Sequence, residues 1–188
     1  IYIGLTGFLI SPGSSVFVYS PLLLLLPWTL PGFFRSWRAE AISFVGLALF
    51  LLIIYSSFDG WEGLWSAPGP RYLFFWTPML LLSLGPWLDR PGGVGRRVAV
   101  VALALAGFGV QLVSTSVQWG SVASLAHYLE FEPRWSFLFI PQYSPVAEMT
   151  RLFFMGGPYD PWLIRLGEGW LGFEGRPALA LLLFGVWL

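Results

Sequence analysis

The amino-acid sequence predicts an all-α fold, a polytopic transmembrane helix bundle with interfacial amphipathic helices in an outer loop. Three observations carry that expectation. The 188 residues are 56% hydrophobic and only 11% charged, against roughly 25% charged in a soluble globular domain. The apolar residues gather into charge-free runs as long as a bilayer is thick. The arginines between those runs concentrate in alternate connections, the pattern that sets the orientation of a membrane protein.

A hydrocarbon core of about 30 Å takes roughly 20 apolar helical residues, with about 17 as the lower limit. Residues 16–33, 41–58, 72–88 and 98–117 reach that length without an Asp, Glu, Arg or His, and each is expected to span. Pro21, Pro27, Pro78 and Pro86 fall inside these runs. Proline breaks a soluble helix, but a membrane helix tolerates it where neighbours re-satisfy the freed carbonyls. Residues 1–10 read as a truncated span or re-entrant end, and 176–188 as the start of a further transmembrane helix, so the chain is expected to be part of a longer polytopic protein. Residues 1–117 then form one bundle portion and 118–175 an extracytoplasmic segment.

Arg35 and Arg38 lie between the first two runs, and Arg90, Arg96 and Arg97 between the third and fourth. Positive residues near span ends stay in the cytoplasm, which places 59–71 and 118–175 outside. Arg71 is the exception on the outer side. In the outer segment, Ser144-Pro145 is a helix-start signal followed by Val146, Met149, Leu152 and Phe153 at helical spacing. Asp160-Pro161 repeats it, with Trp162, Leu163, Leu166 and Trp170 as the apolar stripe. Val122, Leu125 and Leu129 mark a third short helix. Aromatic amphipathic helices of this kind fit a membrane surface.

Composition excludes several kinds of chemistry. The ten basic residues balance ten acidic ones, so there is no basic excess to neutralise nucleic-acid phosphates, and no nucleic-acid partner is expected. The chain has no cysteine, which removes disulfides, thiolate metal sites and a thiol nucleophile. His127 is the sole histidine; with no companion ligand near it in sequence, no metal and no cofactor are expected. Gly92 to Gly95 lacks the Gly-Lys-Ser/Thr of a phosphate loop. The four runs bury no ionisable residue, unlike most transporter spans.

The densest polar cluster on the outer side runs from Asp59 to Tyr72 and includes Trp61, Glu62, Trp65, Ser66 and Arg71. An arginine offers a planar fork of donors to phosphate oxygens, and aromatic faces stack on sugars or lipid-linked head groups. The alternative is that Arg71 pairs with Asp59 or Glu62 while the tryptophans belong to an interfacial belt. A second outer feature is the turn from Ser11 to Pro21, which contains Pro12, Gly13, Ser14, Ser15 and Tyr19. It reads either as a capped loop or as a re-entrant turn whose hydroxyls and amides face a cavity.

Together the two segments resemble the bacterial GT-C class of integral-membrane glycosyltransferases, enzymes of the dolichyl-phosphate-mannose-mannosyltransferase type. These often carry a Ser-Pro-Gly segment ending in Ser-Pro and, one helix pair later, a Trp/Gly-rich loop ending in Gly-Pro-Arg-Tyr before an apolar span with proline. Here the corresponding residues are Ser11-Pro12-Gly13 with Tyr19-Ser20-Pro21, then Trp61, Gly63, Trp65, Ser66, Gly69-Pro70-Arg71-Tyr72 and Pro78. The likeness covers about residues 1 to 90; Ser14 stands where a basic residue is frequent and Ser15 where a second glycine is. The resemblance implies an inverting transfer of sugar from a polyprenyl-phosphate donor to an acceptor at the outer face of the bacterial inner (plasma) membrane. It implies a catalytic carboxylate in an outer loop preceding this stretch of chain. Arg71 is then the expected contact to the departing lipid phosphate, with Glu62, Trp61 and Tyr19 as further substrate-binding residues. The competing expectation is a non-catalytic membrane subunit packed against a larger membrane complex, with membrane lipid as its other partner.

Overall fold

Two long helices set the dimensions of the molecule. In the computed structural model, which describes residues 1–61, 69–89, 93–122 and 134–155, Arg38–Ser56 forms a 19-residue helix and Val94–Ser116 a 23-residue one. At 1.5 Å per residue they are about 28 and 34 Å long, close to the hydrocarbon thickness of a bilayer. Both are long and apolar enough to cross a membrane by length and composition, and only 17% and 6% of their apolar windows are buried inside the protein. A soluble protein's core helix has the opposite character, with its apolar residues covered by the rest of the fold.

In chain order the helices are α1 (Tyr2–Ile10), α2 (Val16–Tyr19), α3 (Leu26–Ser36), α4 (Arg38–Ser56), α5 (Thr77–Leu81), α6 (Leu84–Leu88), α7 (Val94–Ser116) and α8 (Pro145–Met155), with short 3-10 turns at Pro21–Leu25, Arg71–Leu73, Arg134–Phe139 and Pro141–Tyr143. The described residues contain no strand, so the all-α expectation holds for them. The expected spans at 41–58 and 98–117 correspond to α4 and α7, which begin earlier and take the flanking arginines into their first turns.

The expected spans at 16–33 and 72–88 are not continuous helices. The first divides into α2, a 3-10 turn and α3, with Ser20 leaving helical geometry at φ −138° before Pro21. The second divides into the turn at Arg71–Leu73, α5 and α6. Prolines explain both breaks: each removes a backbone donor and fixes φ, so it is accommodated where a helix starts. Pro21, Pro27 and Pro78 sit at such starts, while Pro31 remains inside α3. Apolar length alone had concealed the punctuation.

The main core joins Phe8 of α1, Val16 of α2, Leu23, Ala48 of α4, Trp61, Leu73, Trp76 and Leu80 with Phe137 and Leu138. The segment after α7 therefore does more than lie on a surface, because two of its side chains are buried among the helices. The Thr29 and Ser83 hydroxyls, buried and 2.7 Å apart, tie α3 to the segment between α5 and α6. A second cluster joins Val113, Val117 and Val122 to Met149 of α8. There the expected helix start is observed: the Ser144 Oγ accepts from the Ala147 amide at 3.3 Å. Met149, Leu152 and Phe153 pack inward as their spacing requires.

Arginine placement follows the polarity of the helices. Arg38 opens α4, whereas Tyr55, at the other end of α4, stacks on Tyr72 beside Arg71, with centroids 4.9 Å apart and planes 12° apart. Arg96 lies in the first turn of α7 over the Trp87 ring, and Gln111, well along α7, donates to the Tyr19 carbonyl at 3.2 Å. Arg71 thus lies at the end of the bundle opposite Arg38 and Arg96. The predicted helices around Asp160 and at 176–188, together with His127, Leu125 and Leu129, lie outside the described residues.

Candidate functional site

The Ser11–Ser15 turn folds around one hydroxyl. Ser11 Oγ accepts from the Gly13 and Ser14 amides at 3.1 and 3.2 Å and donates to the Leu138 carbonyl at 2.9 Å. Ser14 Oγ donates to the Gly7 carbonyl, and Ser15 Oγ to the Leu9 carbonyl while also capping α2 through the Phe17 amide. All three serines are buried. Of the two readings of this turn, the capped loop describes it: the hydroxyls satisfy the protein's own backbone, where an unpaired polar group would be costly.

Tyr19 links this turn to the second motif. It is 2% exposed, and its hydroxyl donates to the Gly13 carbonyl at 3.3 Å. The other side of its ring meets the backbone at Gly69, which has φ +82°; a Cβ there would lie 2.7 Å from the tyrosine ring. Phe74 flanks the same ring at 6.1 Å. The Ser-Pro-Gly turn and the Gly69-Pro70-Arg71-Tyr72 loop, some 50 residues apart in sequence, therefore meet on one aromatic side chain. A methyl group at Gly69 would collide with Tyr19 and hold a left-handed conformation that L-residues avoid. Gly69→Ala is expected to cost about 2 to 4 kcal/mol, readable as a lower unfolding midpoint of the detergent-solubilised protein; an unchanged midpoint would show that the two motifs are not tightly joined.

Arg71 is half-buried at the start of the Arg71–Leu73 turn. Its Nη2 donates to the Tyr72 hydroxyl at 3.1 Å, and its guanidinium carbon lies 5.0 Å from the centre of that ring. This arrangement combines a cation–π contact with a hydrogen bond, and the stack of Tyr72 on Tyr55 passes the restraint on to α4. The Tyr72 hydroxyl and ring thus fix the direction of the guanidinium. Asp59 is exposed, and Glu62, Trp65 and Ser66 lie outside the described residues.

Trp61 is packed into the core. It is 6% exposed and packs edge-on against Phe8, with centroids 5.4 Å apart, and against Phe139 at 6.5 Å. Its ring lies so close to Gly7 that a Cβ there would overlap it. Trp61 therefore packs against α1 and the segment around Phe139, while Tyr19 packs against the Gly69 loop that leads into Arg71. Gln111 joins α7 to Tyr19, while Ser114 Oγ is buried without a hydrogen bond.

One buried charge went unnoticed in the sequence. Glu148, on α8, is 6% exposed and holds the exposed Arg151 with both carboxylate oxygens, one of them 3.0 Å from Arg151 Nε. The three-residue spacing of Glu148 and Arg151 was the available clue. Among the described residues, no group of three His, Asp or Glu side chains is placed to hold a metal ion.

Comparison of the chain with protein-family models, with curated proteins and with solved structures yields no match.

Proposed function

We propose that this chain is an integral-membrane protein and, more particularly, the membrane portion of a glycosyltransferase that moves a sugar from a polyprenyl-phosphate donor to an acceptor at the outer membrane face. The observation that carries the reading is the meeting of the two motifs: Tyr19 touches Gly13 on one side and Gly69 on the other, and Arg71 follows within two residues. The opposed ends occupied by Arg71 and by Arg38 and Arg96 support an extracytoplasmic position for Arg71 under the positive-inside rule.

In the proposed reaction the acceptor hydroxyl oxygen bonds to the anomeric carbon as the bond from that carbon to the phosphate oxygen breaks. The hydroxyl proton passes to a general base, and polyprenyl phosphate leaves with the bonding electron pair. Negative charge grows on the phosphate during that step. Arg71, oriented by Tyr72, supplies positive charge and donors there. Tyr19 and Trp61 act through packing, holding the loops at the distance this geometry needs.

The test is transfer by the intact protein in liposomes supplied with polyprenyl-phosphate-linked radiolabelled sugars. Labelled product with the inverted anomeric configuration supports the reading. An absence of product across donor sugars would favour the second reading, a non-catalytic subunit of a larger membrane complex. The completely satisfied hydroxyls of the Ser11–Ser15 turn are the observation on that side.

A further inference from the structure

A cavity of about 200 Å³ lies between α4 and the segments facing it, walled by residues that include Phe17, Leu26, Leu30, Ala48, Leu49 and Trp76. The surface it presents is apolar: the one polar side-chain atom among its lining residues, the buried Trp76 Nε1, contributes no area to it. Water needs two to four polar partners in a buried site and finds none here, whereas an apolar cavity of about 150 Å³ is already large enough to take benzene. An empty space of this kind deprives its walls of dispersion contacts, so a hydrocarbon occupant is favoured.

The position of the cavity narrows the choice of hydrocarbon. Its α4 residues, Val45, Ala48, Leu49 and Leu52, bracket the middle of a helix that runs from Arg38 to Ser56. That is the depth of acyl-chain ends and far from head groups. Leu49 is both a wall residue and 54% exposed, and Phe50 and Ile53 beside it are exposed as well. The cavity wall is therefore continuous with the outer apolar face of α4.

We propose that this cavity holds the end of a membrane phospholipid acyl chain, entering laterally beside α4. The site rests on the membrane part of the reading above and is independent of sugar transfer. The bound chain fills the space that the proline-broken segments α2 and α3 leave against α4, and so acts as a structural element of the bundle.

The test uses the intact protein in liposomes containing a phospholipid with a photoreactive diazirine near the end of one acyl chain, followed by mass-spectrometric mapping. Trp76 is 5% exposed, so bulk lipid reaches it only by way of the cavity. Label on Trp76 and Phe17 as well as on Phe50 and Ile53 is expected. Ala48→Leu, which fills the cavity, should abolish label on Trp76 and leave Phe50 and Ile53 unchanged. Label confined to Phe50 and Ile53 in the parent protein would overturn the site even if the variant did not fold, and unchanged Trp76 label in a folded Ala48→Leu protein would overturn it too. No label on Phe50 or Ile53 would refute the membrane reading itself. Preferential labelling of Trp76 by a photoreactive polyprenyl phosphate, supplied as a minor component of unlabelled phospholipid, would overturn the acyl-chain assignment.

Discussion

Under the proposed sugar transfer, replacing Arg71 by alanine is expected to lower turnover about 10²- to 10³-fold, the usual loss when one preorganised donor to a developing anion is removed. The loss should fall mainly on kcat, because charge accumulates on the phosphate as the glycosyl bond breaks; the KM for the donor should rise by a smaller factor. Arg71→Lys separates charge from shape, since an ammonium keeps the charge but loses the planar fork. It should recover part of the activity. Tyr72→Phe removes the hydroxyl that accepts from Nη2 at 3.1 Å while keeping the ring, and should give an intermediate loss by allowing the guanidinium to wander. Turnover of Arg71→Ala equal to the parent's, in protein with the same unfolding midpoint, would remove this residue from the mechanism.

Trp61→Ala is expected to have the largest effect on stability, about 3 to 5 kcal/mol. The indole fills the space beside Gly7 and makes edge contacts with Phe8 and Phe139, so alanine would leave a hole where α1, the loop after α4 and the segment before α8 converge. Trp61→Phe keeps an aromatic ring and should restore much of the loss. The check is the thermal unfolding midpoint of the solubilised protein, read beside transfer activity. A ligand contact at Trp61 would give Trp61→Ala a normal midpoint with impaired donor binding; a packing residue lowers the midpoint, and Trp61→Phe recovers it together with activity.

The bundle's two long helices were legible because length and absence of charge are local properties, recorded residue by residue at 41–58 and 98–117. The division of 16–33 and 72–88 was less so. A proline in a membrane segment is compatible with a kinked continuous span or with a break, and the choice depends on what neighbouring helices offer to the freed carbonyls. For the same reason spacing could not tell a serine that faces a ligand from one that caps its own chain: Ser11 is decided by Leu138, which lies 127 residues away. Arg71 was legible as an isolated outer-side charge, whereas its contact with the adjacent Tyr72 was not, because the spacing pointed equally to the nearby carboxylates. The burial of Tyr19 and Trp61 was not, since an aromatic residue at a membrane boundary has the same signature whether it stacks on a ligand or fills a core. Glu148 was hidden by its chemistry, as a carboxylate at that spacing from an arginine ordinarily marks a solvated helix face.

The bond from Ser11 to Leu138 also bears on how the chain is made. Synthesis at roughly 5 to 20 residues per second separates the emergence of these partners by something on the order of ten seconds. Until the later residue arrives, the Ser11 hydroxyl must keep a temporary partner such as water, and the turn it organises lacks its anchor to the Leu138 carbonyl. The first turn of the chain is thus completed only after α7 has been made, and a ribosome stalled before residue 138 would leave its serine without that carbonyl.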